Sequence, residues 1–166
     1  MTKPLLSSYK KLLEKTKNIV SLDSAAAILH WDMETMMPPK GIKLRSLQLA
    51  MLSRIGHKMS TDPEIGHLLE ETMKHPEYSN LDHVHKRNLY LINKHYNEQT
   101  KLPEELVVET SKQEAITIDT WKKAKAAKDF LKFKPELEKL FNLKKQAAEI
   151  LMKVKEIATP YDALID

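Results

Sequence analysis

Apolar residues recur at three- and four-residue spacing along most of the chain, the period of helices that bury one face. Leu5, Tyr9, Leu12, Leu13, Ile19 and Val20 share such a face and predict a first helix over residues 4–29. Pro4 suits its first turn, where a missing N–H costs nothing. Ala25-Ala26-Ala27 is slim enough for another helix to approach closely. Residues 31–41 break the pattern, because Pro38-Pro39 cannot continue a helix and Gly41 permits tight backbone. Leu44, Leu47, Met51, Ile55 and Met59 form the apolar stripe of a second helix over 42–59. Asp62 is a good N-cap and Pro63 a good first residue for a short third helix reaching Met73. A fourth helix over 80–98 carries Leu81, Val84, Leu91 and Ile92 on one face, with His85, Asn88 and His95 beside them. Leu102-Pro103-Glu104-Glu105 opens a fifth helix to about Ala126, its acids in the first turn where the helix dipole favours them. A sixth begins near Pro135 and buries Leu137, Leu140, Ala147, Leu151, Val154 and Ala158. Thr159-Pro160 ends it, since a residue before proline resists the α region, and residues 161–166 remain as a stub.

Composition agrees with this pattern. Three glycines, 6% aromatic residues and abundant Leu, Lys, Glu, Ala and Met favour helix, and nothing alternates with period two. The expectation is an all-α fold of about five to six helices, several long and antiparallel, in one region spanning 1–166. Without cysteine there can be neither disulfide nor thiolate metal site. No apolar run reaches the 18 residues of a membrane span. Met1-Thr2-Lys3-Pro4 leads into an amphipathic helix rather than a secretory signal, so the expected compartment is the cytoplasm. The formal charge of +4 is mild and the lysines are spread along the chain, which reads as a solvated surface rather than a nucleic-acid patch.

A search for chemistry finds little. The seven histidines are His30, His57, His67, His75, His83, His85 and His95; no two are four apart and no His-Glu-x-x-His occurs. His83 and His85 point to different sides of a helix, and His85 and His95 lie about 15 Å apart along one. These spacings read as scattered surface or packing histidines. There is no Gly-x-Ser-x-Gly elbow and no phosphate-cradling loop. No catalytic, cofactor-binding or metal-ligating residue is assigned. Asn88, His95, Gln113, Glu114 and Thr117 stand where apolar residues would be expected on the fourth and fifth helices. They either bond one another inside the fold or line a wet cleft. In the segment His30-Trp31-Asp32, Asp32 could cap a turn, and Trp31 with Met33, Met36 and Met37 could plug the helical layer. A binding role there would need an open groove.

The same segment carries a family resemblance. Trp31-Asp32-x-x-Thr35-Met36-x-Pro38, then Gly41, Arg45 and Gln48, resembles the N-terminal signature of Taq-type metallocarboxypeptidases. Leu49, Leu52, His57 and Thr61-Asp62-Pro63-x-Ile65-Gly66 follow in register. Leu102-Pro103-Glu104-Glu105-Leu106, Trp121-x-x-Ala124, Asp129-Phe130-x-x-Phe133-x-Pro135-x-Leu137 and Pro160-Tyr161-Asp162-Ala163-Leu164-Ile165-Asp166 complete it. Lys125 departs from the pattern, which has Arg after Trp121-x-x-Ala124; the charge remains but the planar fork is lost. The resemblance implies a much longer helical enzyme with a deep groove, usually a homodimer, that trims C-terminal residues from peptides. Zinc or cobalt would be held by a His-Glu-x-x-His helix and a later glutamate, with the motif glutamate acting on metal-bound water. None of those residues falls within 1–166, so the chain reads as a shortened N-terminal fragment, inactive alone and forming a wall or lid of the groove. The other expectations are a stand-alone helical interaction module, which would expose the apolar surface left by the missing part, and a basic nucleic-acid binder with salt-dependent affinity.

Overall fold

In the computed structural model, residues 5–165 are described; the role read for Pro4 and the terminal Asp166 lie outside them. Seven α-helices and one 3-10 turn follow in order: α1 (Leu5–Thr35), α2 (Ile42–Ser60), α3 (Pro63–Met73), the 3-10 turn (Pro76–Asn80), α4 (His83–Gln99), α5 (Glu104–Ala127), α6 (Phe130–Lys155) and α7 (Pro160–Leu164). Among the described residues the fold is entirely helical, with six helices of eleven residues or more, as the apolar period predicts. α1, α2, α5 and α6 lie side by side in that order; α3 packs on α1, α4 packs on α3 and also reaches α2 and α6, and α7 covers α6.

The helix ends follow local chemistry. Asp62, Asp82, Asp129 and Thr159 each accept a backbone N–H at the start of α3, α4, α6 and α7. Four boundaries differ from expectation. α1 continues six residues beyond Leu29, because nothing before Pro38 forbids helix; the Asp32 carbonyl then accepts from both Met36 and Met37 and closes the last turn. α4 starts at His83 rather than near Asn80, since Pro76 and His75 first set a 3-10 turn. α6 starts at Phe130, where the Asp129 cap nucleates it, and Pro135 sits inside the helix rather than at its first turn. It ends at Lys155 because Glu156 turns left-handed (φ 53°). The expected stub is a capped helix, α7, with Ala163 fully buried.

Three small clusters make the core. Tyr9, Leu12, Ile65, Leu68, Leu69 and Leu89 join α1, α3 and α4; Met33, Leu49 and Ala115 join α1, α2 and α5; Ala148, Leu151 and Ala163 join α6 and α7. Close approach helps the first, where Gly66 lies under the Tyr96 ring and a Cβ would come within 2.6 Å of its hydroxyl. Three predicted stripes are corrected. On α6 the buried residues are Ala148 and Leu151, while Leu137 is exposed and Ala158 lies exposed beyond the helix end. On α4 the buried residue is Leu89, while Val84 and Leu91 are exposed. On α2 the stripe Leu44, Leu47, Met51 and Ile55 faces outward, and Ser46, Leu49, Ala50, His57 and Ser60 face the layer. The physical reason is α2's position between α1 and α5. These two neighbours cover the face that carries Ser46, Leu49, Ala50, His57 and Ser60 and leave the opposite stripe outside.

Candidate functional site

The residues of the Trp31 segment separate into two groups. Arg45 of α2 donates to the Asp32 carboxylate, to the Leu29 carbonyl and, through Nε at 3.0 Å, to Gln48 Oε1. Its side chain is only 12% exposed, so this planar cation is withdrawn from water and fully engaged. Asp32, Arg45 and Gln48, three signature positions, thus tie the end of α1 to α2. Asp32 does not cap a turn with its side chain as expected, because Arg45 takes the carboxylate. Lys122 of α5 reaches the carbonyls of Met33 and Glu34 at 3.4 Å and satisfies the same helix end from the other side. Met33 is buried and Met37 half-buried, but Trp31 and Met36 are exposed, so the plug is made by two methionines without the tryptophan.

Polar residues on α4 and α5 bond mostly between helices. Asn88 Nδ2 donates to Tyr9 Oη at 2.9 Å, joining α4 to α1. Gln113 Nε2 donates to Glu136 Oε2 at 2.7 Å and to Thr117 Oγ1 at 3.1 Å, and Thr117 Oγ1 donates to the Glu136 carbonyl at 3.3 Å. Glu114 pairs with Lys144 at 2.5 Å. These contacts sew α5 to α6. The hydrogen bond from Gln113, with Lys139 second, holds the Glu136 carboxyl below its ordinary range. Asp62 is lowered in the same way, first by Lys15 and then by the Glu64 N–H. His95 alone of the five is exposed.

His95 belongs to a cleft of about 280 Å³ between α1, α2, α4 and α5. Asp23 and His30 reach it from α1, His57 and Ser60 from α2, His95 and Gln99 from α4, and Ser111 from α5. The buried His57 places Nδ1 3.4 Å from Gln99 Oε1. Sequence spacing did not reveal this convergence, since His30, His57 and His95 stand on three helices 27 and 38 residues apart. Even so, no group of three His, Cys, Asp or Glu is placed to hold a metal ion among the described residues. The donors present do not fit a catalytic metal. A second hollow lies at the turn between α5 and α6, lined by Trp121, Lys125, Lys128, Phe130 and Phe133. There Lys125 sits 4.8 Å from the Trp121 ring centroid, a cation–π contact that an ammonium makes without the guanidinium fork. No helix of the described residues is long and apolar enough to cross a membrane.

The site thus belongs to an all-helical layer whose first two long helices are tied by Asp32, Arg45 and Gln48, and the class of protein follows from its relatives. It is 34% identical over 159 residues to thermostable carboxypeptidase 1 of Pyrococcus furiosus, covering 96% of this chain and 31% of that one. The thermostable carboxypeptidase 1 of Thermus thermophilus is 31% identical over 166 residues, covering 96% and 32%. The BsuCP crystal structure superposes with a TM-score of 0.87 at 27% identity, over 96% of this chain and 31% of that one. The chain belongs to the carboxypeptidase Taq (M32) metallopeptidase family, which matches residues 11–166. It corresponds to the N-terminal region of that family and spans just under a third of the length of these relatives.

Proposed function

We propose that this chain supplies the helical N-terminal wall, or lid, of the substrate groove of a metal-dependent carboxypeptidase that removes C-terminal residues from peptides. The observation that carries the reading is the family match over residues 11–166, on a chain that spans 31% of its relative from Pyrococcus furiosus. On this reading zinc or cobalt, the general base and the bound water all belong to sequence outside these residues, and the chain alone does not hydrolyse peptides. The full-length enzyme would act in the cytoplasm as a homodimer. Asn88 and Gln113 contribute to the wall only by holding helices together, since their amides are engaged between helices. His95, with His30 in the same cleft, is the polar surface left to face a peptide.

The test is direct. The purified 166-residue chain is supplied with zinc or cobalt, its bound metal is measured by elemental analysis, and release of C-terminal residues from a blocked peptide is followed. A full-length thermostable carboxypeptidase serves as reference. We expect no stoichiometric metal and no release from the chain. Stoichiometric metal with metal-dependent release would overturn the reading. A second reading, a stand-alone helical interaction module, is favoured by one observation, the exposed apolar face of α2.

A further inference from the structure

Helix α2 has its amphipathicity turned outward. Its inner face carries Ser46, Leu49, Ala50, His57 and Ser60, while Leu44, Leu47, Met51 and Ile55 are 63%, 50%, 58% and 38% exposed. At about 100° per residue these four fall within an arc of roughly 80° and extend about 16 Å along the axis, three turns of a partner helix. Burying four such side chains is a substantial driving force, and nothing in the layer uses it.

Charge decides what fits. α2 contains Lys43, Arg45, Arg54 and Lys58 and no acidic residue. Arg45 is engaged by Asp32 and Arg54 by Glu104, which also lies 3.8 Å from Lys58. Lys58 is 65% exposed at one end of the stripe, and Lys43 flanks the other. Beside the stripe runs a groove of about 290 Å³ between α2 and α5, with Leu47 and Ile116 in its walls and Lys43 and Lys112 on its rim. Its one acid, Asp119, is held by Lys123 at 2.6 Å. A second copy of the same face would oppose lysine to lysine, and the nearby acids, Glu104 and Asp119, are already paired with Arg54 and Lys123. An apolar helix edged with Asp and Glu would match both the stripe and the rim.

We propose that the outer face of α2, with the α2–α5 groove, is a docking seat for an amphipathic helix whose apolar stripe is bordered by acidic residues. The seat uses Leu44, Leu47, Met51 and Ile55 for affinity and Lys43 and Lys58 for orientation. It rests on the interaction-module reading and requires no metal and no peptide hydrolysis.

The probe is a designed helical peptide of about 18 residues, leucine on one face and glutamate on its borders; a copy with lysine in place of glutamate is the control. Both are titrated into the full 166-residue chain while backbone amide shifts are followed by NMR. The glutamate peptide should shift the α2 amides and bind at least tenfold more tightly than the lysine peptide, and less tightly as salt rises. Met51→Glu should weaken it at least tenfold while leaving the circular dichroism unchanged, because Met51 is 58% exposed and belongs to none of the core clusters. Lys43→Glu with Lys58→Glu should reverse the preference between the peptides. Equal binding of the two peptides, or shifts centred away from α2, would overturn the proposal. So would a dimer of the free chain that Met51→Glu dissociates, or binding of phosphatidylglycerol vesicles through α2 without binding of either peptide.

Discussion

Leu89 and Leu91 lie two positions apart on α4 and differ completely in environment. Leu89 is fully buried between α1 and α3, and Leu91 is 44% exposed. Leu89→Ala should therefore lower unfolding free energy by about 2–5 kcal/mol, and Leu91→Ala by less than about 0.5 kcal/mol. Chemical denaturation midpoints of the two variants check this; equal losses would show that α4 is rotated from the arrangement described. Arg45 makes a similar point for polar residues. Its fork serves three acceptors on two elements, so Arg45→Lys keeps the charge but satisfies fewer of them. We expect a loss of about 1–3 kcal/mol, the cost of leaving half-buried acceptors unpaired. The signature positions Asp32, Arg45 and Gln48 were legible in the sequence, but their mutual contact was not. Nothing in a spacing of 13 residues says that the chain turns between them and brings a cation back onto the preceding helix.

At the scale of the element, caps and prolines govern. Asp62 and Pro63 mark the start of α3 in the sequence alone, because a cap is a local interaction between neighbours in sequence. Pro135 misled for the same local reason. It looks like a first-turn residue, yet Asp129 starts α6 five residues earlier and the helix tolerates one missing N–H. Asp129→Ala should destabilise by about 1 kcal/mol through loss of the bond from the Leu131 N–H. Glu156 closes α6 with a left-handed backbone, which disfavours any side chain with a Cβ by about 1–2 kcal/mol. Glu156→Gly relieves that strain and returns part of the gain as unfolded-chain entropy. The melting temperature should rise by a few degrees; a fall would place the stabilisation in a contact of the Glu156 side chain. α2 is the element where periodicity was right and direction wrong. A stripe shows that a helix has two faces, and only the neighbours decide which face is inside.

For the whole molecule, the three clusters are small and much of the cross-helix adhesion is polar. Lys15–Asp62, Gln113–Glu136, Glu114–Lys144 and Glu98–Lys155 each join separate helices or their caps. Two of these carboxyls, Asp62 and Glu136, have their pKa lowered by folding. Such a group binds fewer protons in the folded chain than in the unfolded one. Its contribution is therefore present above the unfolded value of about 4 and is lost as pH falls through the lower, folded value. Stability should be level from neutral pH to about 5 and decline below about 4, and Glu136→Gln should flatten that decline. Denaturation midpoints across pH 3–7 measure both; an unchanged acid slope in Glu136→Gln would remove Glu136 from the account. The sequence by itself determined that the chain is helical, where most helices start, and which family signature it carries. Each of these depends on residues within a turn or two of each other, or on residue order alone. Tertiary structure decided which stripe of α2 faces out, that His30, His57 and His95 share one cleft, and that Asn88 and Gln113 hold helices together. Those facts depend on contacts between elements far apart in the chain, where packing distance and the available partners, not local propensity, set the outcome.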